Sequence, residues 1–136
     1  MIKLLIGLKN FSVPVNISIL IVRVYTSAMM LTHGYPKLVR LLEGNMKFRD
    51  PIGLGPELSM ILTVFSEFFC SILIIIGLGT RLASIPLLIT MLVVLFIVHG
   101  ADPITERWNV VAYIVAYIAL FITGSGKYSV DYRLFK

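Results

Sequence analysis

The sequence has little charge and almost no cysteine. Charged residues make up 14% of the 136-residue chain, and Cys70 is its one cysteine. A soluble domain has about twice that charged fraction, so the composition excludes a water-soluble globule. A single thiol excludes an internal disulfide, a CxxC redox pair and a cysteine-rich metal site. A hydrophobic content of 58% indicates instead that most of the chain folds in lipid.

Four apolar runs fill most of the chain, and each has the length of about 20 residues that a bilayer span needs. The predicted spans cover residues 15–36, 57–79, 82–101 and 103–124. Segments rich in Gly and Pro separate them, and we expect Pro56 and Pro103 in the first turns of two helices, with Asp102 as an N-cap. The sequence therefore predicts an all-α integral membrane four-helix bundle, antiparallel, with residues 1–136 as one domain.

Basic residues that flank the spans predict the orientation of the bundle. Four crossings put both termini on one side of the membrane, where six Lys and Arg residues lie against five on the other side. The positive-inside rule then places both termini in the cytoplasm. We expect residues 1–9, with Lys3 and Lys9, to lie at the headgroups. Membrane-flanking residues account for the basic character of the chain, so no nucleic-acid partner is expected.

Two ionisable residues lie inside the apolar runs, Arg23 in the first and Glu67 in the second. Each is close to the middle of its predicted span. An unpaired charge at the bilayer centre costs about 3 kcal/mol on insertion scales, and two opposite charges at the same depth can offset much of that cost. The sequence therefore predicts a structural ion pair between Arg23 and Glu67 that faces the bundle interior.

Small and polar residues recur at helical spacing on the first two spans. The stripes consist of Asn16, Arg23, Ser27, Met30 and Gly34 on the first span and of Ser59, Thr63, Glu67 and Ser71, with Cys70 beside them, on the second. Apolar residues cover the remaining surface of the second span: Leu62, Phe65, Phe69, Ile72 and Ile76. We expect the two stripes to face each other. The hydroxyl groups and Cys70 are interpreted as packing groups, because small residues let membrane helices approach closely.

Polar side chains gather at the predicted outer face: His33, Glu57, His99, Asp102 and Glu106. They could bind a divalent metal, relay protons or hydrogen-bond the carbonyls of a quinone-like ligand. Helix capping explains the acids equally well and no HxxxH spacing occurs, so no metal site is predicted. Tyr113, one turn from Tyr117, either lines a ligand cavity or bonds to another helix. The candidate ligand-binding residues are Arg23, His33, Glu67, His99, Glu106 and Tyr113.

Three motifs carry a resemblance to a known family. They are Arg23 followed by His33-Gly34-Tyr35-Pro36-Lys37-Leu38, Glu67 followed by Gly77-Leu78-Gly79-Thr80-Arg81-Leu82-Ala83, and Gly124-Ser125-Gly126-Lys127-Tyr128-Ser129-Val130-Asp131. From about residue 15 to 134 the chain resembles the DoxX family of small four-helix bacterial membrane proteins. The polar positions of the family correspond to Arg23, His33, Lys37, Glu67, Arg81, Glu106 and Asp131.

The resemblance implies a multi-pass protein of the bacterial inner (cytoplasmic) membrane that acts as a subunit of a quinone-linked redox or thiol-stress system. The sequence has no haem, flavin or iron–sulfur motif, so an oxidoreductase subunit of this kind needs a partner protein for its redox centre. Whether the chain is an enzyme stays open. The expected ligand is a quinone or another small apolar molecule, not covalently bound and held in the bundle between the polar stripes. The expected partners are the lipid bilayer and a redox protein, and a second copy of the chain where the bundle forms a transport pathway. The alternative is a non-enzymatic carrier of a small solute or an assembly factor for a membrane complex.

Overall fold

The computed structural model describes residues 10–135, except for the side chain of Glu106. In this range the chain forms helices and no strand: α1 (Val13–Leu42), α2 (Pro56–Ile76), α3 (Thr80–Val98), α4 (Trp108–Thr123) and a short α5 (Val130–Phe135). Helices α1 to α3 are long and apolar enough to cross a membrane, and α4 is a shorter apolar helix. The all-α fold expected of a membrane bundle is confirmed. The surface position predicted for residues 1–9 lies outside the described part.

The bundle exposes large apolar side chains and buries polar ones. Ile21 and Phe96 are 61% and 67% exposed, whereas Arg23, Glu67 and Ser84 are each at most 2% exposed. Between the helices, Met30, Ile74, Leu87 and Leu120 form part of a small apolar core. An apolar exterior around a partly polar interior is the distribution that a helix bundle adopts in lipid.

Helix α1 is longer than the predicted span 15–36, because it continues through Pro36 to Leu42. A proline inside a membrane helix is tolerated where neighbouring groups satisfy the freed backbone carbonyl. The helix has 30 residues and is therefore about 45 Å long, against about 30 Å for the hydrocarbon core. Its last two turns carry Lys37 and Arg40 toward the membrane surface.

The buried residues of α1 and α2 match the predicted stripes. On α1 they are Asn16, Ile19, Arg23, Thr26, Ser27, Met30 and Gly34. On α2 the stripe residues Ser59, Glu67, Cys70 and Ser71 are buried, Thr63 is half-buried, and the predicted apolar surface is exposed. A Cβ on Gly34 would lie 2.7 Å from the carbonyl carbon and oxygen of Glu67, so the two backbones touch there. The stripes face each other as predicted.

The turn between α2 and α3 ends α2 at Ile76. Gly77 adopts a left-handed conformation (φ 77°), its N–H donates to the Ile74 carbonyl at 3.1 Å, and the Leu78 N–H donates to the Leu73 carbonyl at 2.9 Å. This pair of bonds is a Schellman motif, in which glycine avoids the steric cost of a Cβ. The N–H of Gly79 donates to both carboxylate oxygens of Asp131 at 2.9 Å, which fastens α5 to the turn.

Helix α4 begins later than predicted. A 3-10 turn occupies Ile104–Glu106, and α4 starts at Trp108 rather than at Pro103. Asp102 is not an N-cap, because neither the 3-10 turn nor α4 has a side-chain cap bond. Its carboxylate contacts His99 instead, with 2.7 Å between Oδ2 and Nδ1. The imidazole three residues earlier is a closer partner than the amides of the following turn, which corrects the predicted role of Asp102.

Candidate functional site

A cavity of about 900 Å³ lies between α1, α2, α3 and α4 at the end of the bundle where α1 passes into the loop 43–55. Four of the six candidate residues line it: His33, Glu67, His99 and Tyr113. Arg23 does not line it, and the side chain of Glu106 lies outside what the structure describes. Much of the wall is apolar, with Met29, Met30, Leu62, Ile89, Val94 and Val110 among its residues.

The inner wall of this cavity carries an ion pair between Lys37 and Glu67. The Lys37 Nζ donates to Glu67 Oε2 at 2.6 Å. The Glu67 side chain is 3% exposed and the Lys37 side chain 28% exposed, so the carboxylate depends on its partner more than the ammonium does. A buried charge needs such a partner, since burial removes its hydration. The pair places two oppositely charged groups against an apolar surface.

Glu67 is held in place by the local shape of α2. It lies in a π-helical segment, Phe65–Cys70, and the bare backbone of Gly34 packs directly on it. A second π-helical segment, Val94–Val98 at the end of α3, also contributes residues to the cavity wall. Such π-helical segments occur frequently at functional sites. Both of these π-helical segments therefore border the same cavity.

Arg23 lies at the opposite end of the bundle, which makes the predicted Arg23–Glu67 ion pair wrong. Its guanidinium donates through Nη1 to the Ser125 carbonyl and through Nη2 to the Tyr128 carbonyl, the second bond at 2.7 Å. Arg23 packs against Gly77, whereas Gly34 packs against Glu67. The predicted alignment of α1 against α2 differs from the observed one by about ten residues, or about 15 Å along the helix. The difference arises because α1 extends further past Pro36 than expected.

Arg23 belongs to a polar cluster that we call the C-terminal clasp, formed by Arg23, Gly77, Ser125, Tyr128 and Asp131. The backbone N–H of Asp131 donates to the Gly77 carbonyl at 3.0 Å, in addition to the contact of its side chain with the turn. Asp131 is fully buried. These bonds satisfy loop carbonyls and amides that have no helical partner, so the clasp has a structural role.

An aromatic row continues the cavity wall into the core. The rings of His33 and Tyr113 meet edge to face with centroids 6.1 Å apart, and Tyr113 stacks on Tyr117 with centroids 6.3 Å apart. Tyr117 is fully buried, whereas His33 is exposed at the cavity. The polar edges of His33 and Tyr113 can both donate hydrogen bonds to a molecule inside the cavity.

The residues of the predicted outer cluster separate in the structure. His33 and His99 line the cavity, whereas Glu57 and Asp102 do not. The His99 and Asp102 side chains are 45% and 42% exposed, so their contact lies at the surface. Within residues 10–135, and leaving Glu106 aside, no group of three His, Cys, Asp or Glu side chains is arranged to hold a metal ion.

Three cationic residues that the sequence indicates only as membrane-flanking charges lie at the open end of the cavity. Arg40, Lys47 and Arg49 line the cavity together with Lys37. The Arg40 Nη2 donates to the Lys47 carbonyl, which folds the loop back over the end of α1. We call Arg40, Lys47 and Arg49 the basic rim. Only the conformation of the loop brings them together, and their spacing along the chain carries no periodic signal.

The chain matches a known protein family over more than half of its length. Residues 18–100 match the model of the DoxX family. The chain belongs to the DoxX family. No curated protein and no solved structure gives a significant match. The matched range begins inside α1, contains α2 and α3 and ends before α4, so the segment 101–134 of the expected resemblance lies outside it.

The motifs on which the expected resemblance rests have two different places in the structure. The segment from His33 to Lys37 and the carboxylate of Glu67 face the cavity. Arg23 and the turn at Gly77 lie in the C-terminal clasp, together with Asp131. The apolar helices and the family match show that the chain is a multi-pass membrane protein. Its buried polar residues line the cavity at one end of the bundle and bond to loop backbone groups at the other.

Proposed function

We propose that this DoxX protein binds a small amphipathic molecule of the quinone class in its cavity, as a subunit of a membrane redox system. The observation that carries the proposal is the Lys37–Glu67 pair, set in a largely apolar cavity of about 900 Å³. Ligand pockets have volumes of roughly 300–1,000 Å³, with apolar walls and a few convergent polar groups. The cavity has all three of these properties.

The residues of the cavity suit a quinone headgroup. Its ring and apolar substituents can pack against Met29, Leu62 and Val94, while Lys37, His33 and Tyr113 can donate to its carbonyl oxygens. A bound quinone supplies reversible chemistry of two electrons and two protons. The His33 side chain is exposed at the cavity, so water can reach the place where the quinone would take up its protons. The electrons come from a partner protein, because the sequence carries no redox motif of its own.

The orientation that we propose is an antiparallel bundle in the bacterial inner membrane with both termini in the cytoplasm. The count of Lys and Arg residues, six on the side of the termini against five on the other side, supports it. The cavity and its basic rim then open toward the outer face. The C-terminal clasp then lies at the cytoplasmic face.

The binding claim is tested by titrating the purified protein in neutral detergent with a short-chain quinone and measuring the bound fraction by native mass spectrometry. Tyr113→Phe removes one hydrogen-bond donor of the cavity and should weaken binding about fivefold, the equivalent of about 1 kcal/mol. Tyr35→Phe is the matched control, because Tyr35 is 60% exposed and lies outside the cavity wall. Equal affinities for both variants, or no saturable binding by the unaltered chain, would contradict the proposal.

The redox role has a separate test. After mild solubilisation, the protein should co-purify with a protein that carries flavin, haem or an iron–sulfur cluster, and that partner should reduce the bound quinone. Reconstituted vesicles in which this chain alone moves a small solute, with no redox partner retained, would indicate a carrier instead.

A further inference from the structure

The charged residues at the cavity end of the bundle are segregated by sign. Leaving aside Glu106, whose side chain the structure does not describe, four cationic side chains line the cavity, Lys37 and the three of the basic rim, against one carboxylate, that of Glu67. Lys37 is paired with that carboxylate. Among the side chains that the structure describes, no carboxylate pairs with the three cations of the basic rim.

The acidic side chains that the structure describes at this end either bond within the fold or lie away from the cavity. Asp50 accepts from the Gly55 N–H at 3.0 Å and from the Ser59 hydroxyl at 3.3 Å, which holds the start of α2. Asp102 contacts His99. Glu43 and Glu57 do not line the cavity. The segments at this end of the bundle carry equal numbers of basic and acidic residues in the sequence. The described side chains that line the cavity nevertheless carry an excess of positive charge.

The positive charge lies next to an apolar interior. Lys47 and Arg49 are exposed, and Arg40 is half-buried at the end of α1. Met29, Leu62 and Val94 line the same cavity. A molecule that fills both parts needs a negatively charged head and an apolar body. Acidic phospholipids of the surrounding bilayer have this chemistry.

We propose that the basic rim binds the phosphate group of an acidic phospholipid, whose acyl chains enter the apolar part of the cavity. Arginine binds phosphate oxygens in a planar, two-bond geometry, and lysine adds a point charge. This inference goes beyond the proposed function. Its polar contacts come from different residues, because the donors assigned to the quinone are Lys37, His33 and Tyr113, whereas the apolar wall is common to both ligands.

The test compares two lipids with the same short acyl chains, phosphatidylglycerol with a net negative charge and zwitterionic phosphatidylcholine. Each is titrated into the full chain in neutral detergent and followed by native mass spectrometry. Phosphatidylglycerol should bind more tightly. The double variant Lys47→Gln with Arg49→Gln should bind it about 25-fold more weakly, since each basic residue near a charged lipid surface contributes about fivefold.

The matched control is the double variant Lys127→Gln with Arg133→Gln, which removes the same pair of residue types. Both residues are exposed and lie outside the cavity wall, so the control should bind phosphatidylglycerol like the unaltered chain. Equal weakening in the control would overturn the proposal, because it would show an effect of total charge. Equal affinity for both lipids would overturn it as well.

Titration with inorganic phosphate is the third measurement. Binding of inorganic phosphate without binding of phosphatidylglycerol would overturn the assignment of a lipid as the source of the phosphate group. The quinone titration of the Lys47→Gln, Arg49→Gln variant keeps the two proposals separate. Quinone binding without lipid binding would refute only this inference, and the reverse would refute only the proposed function.

Discussion

Removing Lys37 should destabilise the protein more than removing the charge of Glu67. Lys37→Met leaves a carboxylate that is 3% exposed without its cation, and loss of one partner of a buried pair costs about 3–5 kcal/mol. Glu67→Gln leaves an ammonium group that is 28% exposed and keeps hydration. The new amide oxygen can still accept from Lys37, so we expect a loss of about 1 kcal/mol.

The double variant makes the prediction sharper. With both changes the interior holds no charge at this position, and we expect the free energy of unfolding to fall by about 2 kcal/mol. That is about 2–4 kcal/mol less than the two separate losses together, a coupling expected of groups in contact. The assay is reversible unfolding in mixed micelles as denaturing detergent is added, followed by circular dichroism.

Lys127→Met is the control for this series. Lys127 is exposed at the other end of the bundle, so its loss should change the free energy of unfolding by no more than about 0.5 kcal/mol. A coupling energy below about 0.5 kcal/mol between Lys37→Met and Glu67→Gln would refute the ion pair. A larger loss from Glu67→Gln than from Lys37→Met would refute the asymmetry of burial.

Three further predictions follow from the packing and the orientation. Arg23→Met should lower the free energy of unfolding by about 3 kcal/mol, because two loop carbonyls lose a charged donor. Its effect should add to that of Glu67→Gln to within about 0.5 kcal/mol. A larger coupling energy would support the Arg23–Glu67 ion pair and contradict the structure. Gly34→Ala should cost about 2 kcal/mol in the same unfolding assay, although alanine favours helix by about 1 kcal/mol, and a stabilised variant would contradict the close contact of α1 and α2. In chains without the native thiol, Asn45→Cys should react with a membrane-impermeant reagent added at the outer face, and Leu134→Cys should react only when the reagent reaches the cytoplasmic face. The reverse pattern, or labelling of both residues from one side, would contradict the proposed orientation.

The residues of each helix that face the bundle interior could be predicted from the sequence, because they follow from the helical repeat alone. Residues such as Asn16, Ser27 and Gly34 project to one side at 100° per residue, and the structure buries all three. Polar residues in an otherwise apolar run also identified His33 and Glu67, which now line one cavity. These signals need no knowledge of how one helix sits against another.

The pairing of charges could not be predicted in the same way, because it depends on the register of α1 against α2. That register follows from the continuation of α1 through Pro36 and from the contact of Gly34 with the Glu67 backbone. Both are tertiary features. The basic rim was missed for a similar reason, since Lys47 and Arg49 meet Arg40 only through the fold of an irregular loop.

The central claim is that the cavity is the binding site, and a bulky residue inside it gives the most direct test. Ala112 lines the cavity, whereas Ala119 lies two turns further along α4, on the same side of the helix, and does not. Both are exposed in the chain, so each can take a larger side chain. The short-chain quinone should bind at least about tenfold more weakly to Ala112→Trp, with unchanged affinity for Ala119→Trp. Unchanged affinity for Ala112→Trp in a folded protein would contradict the account.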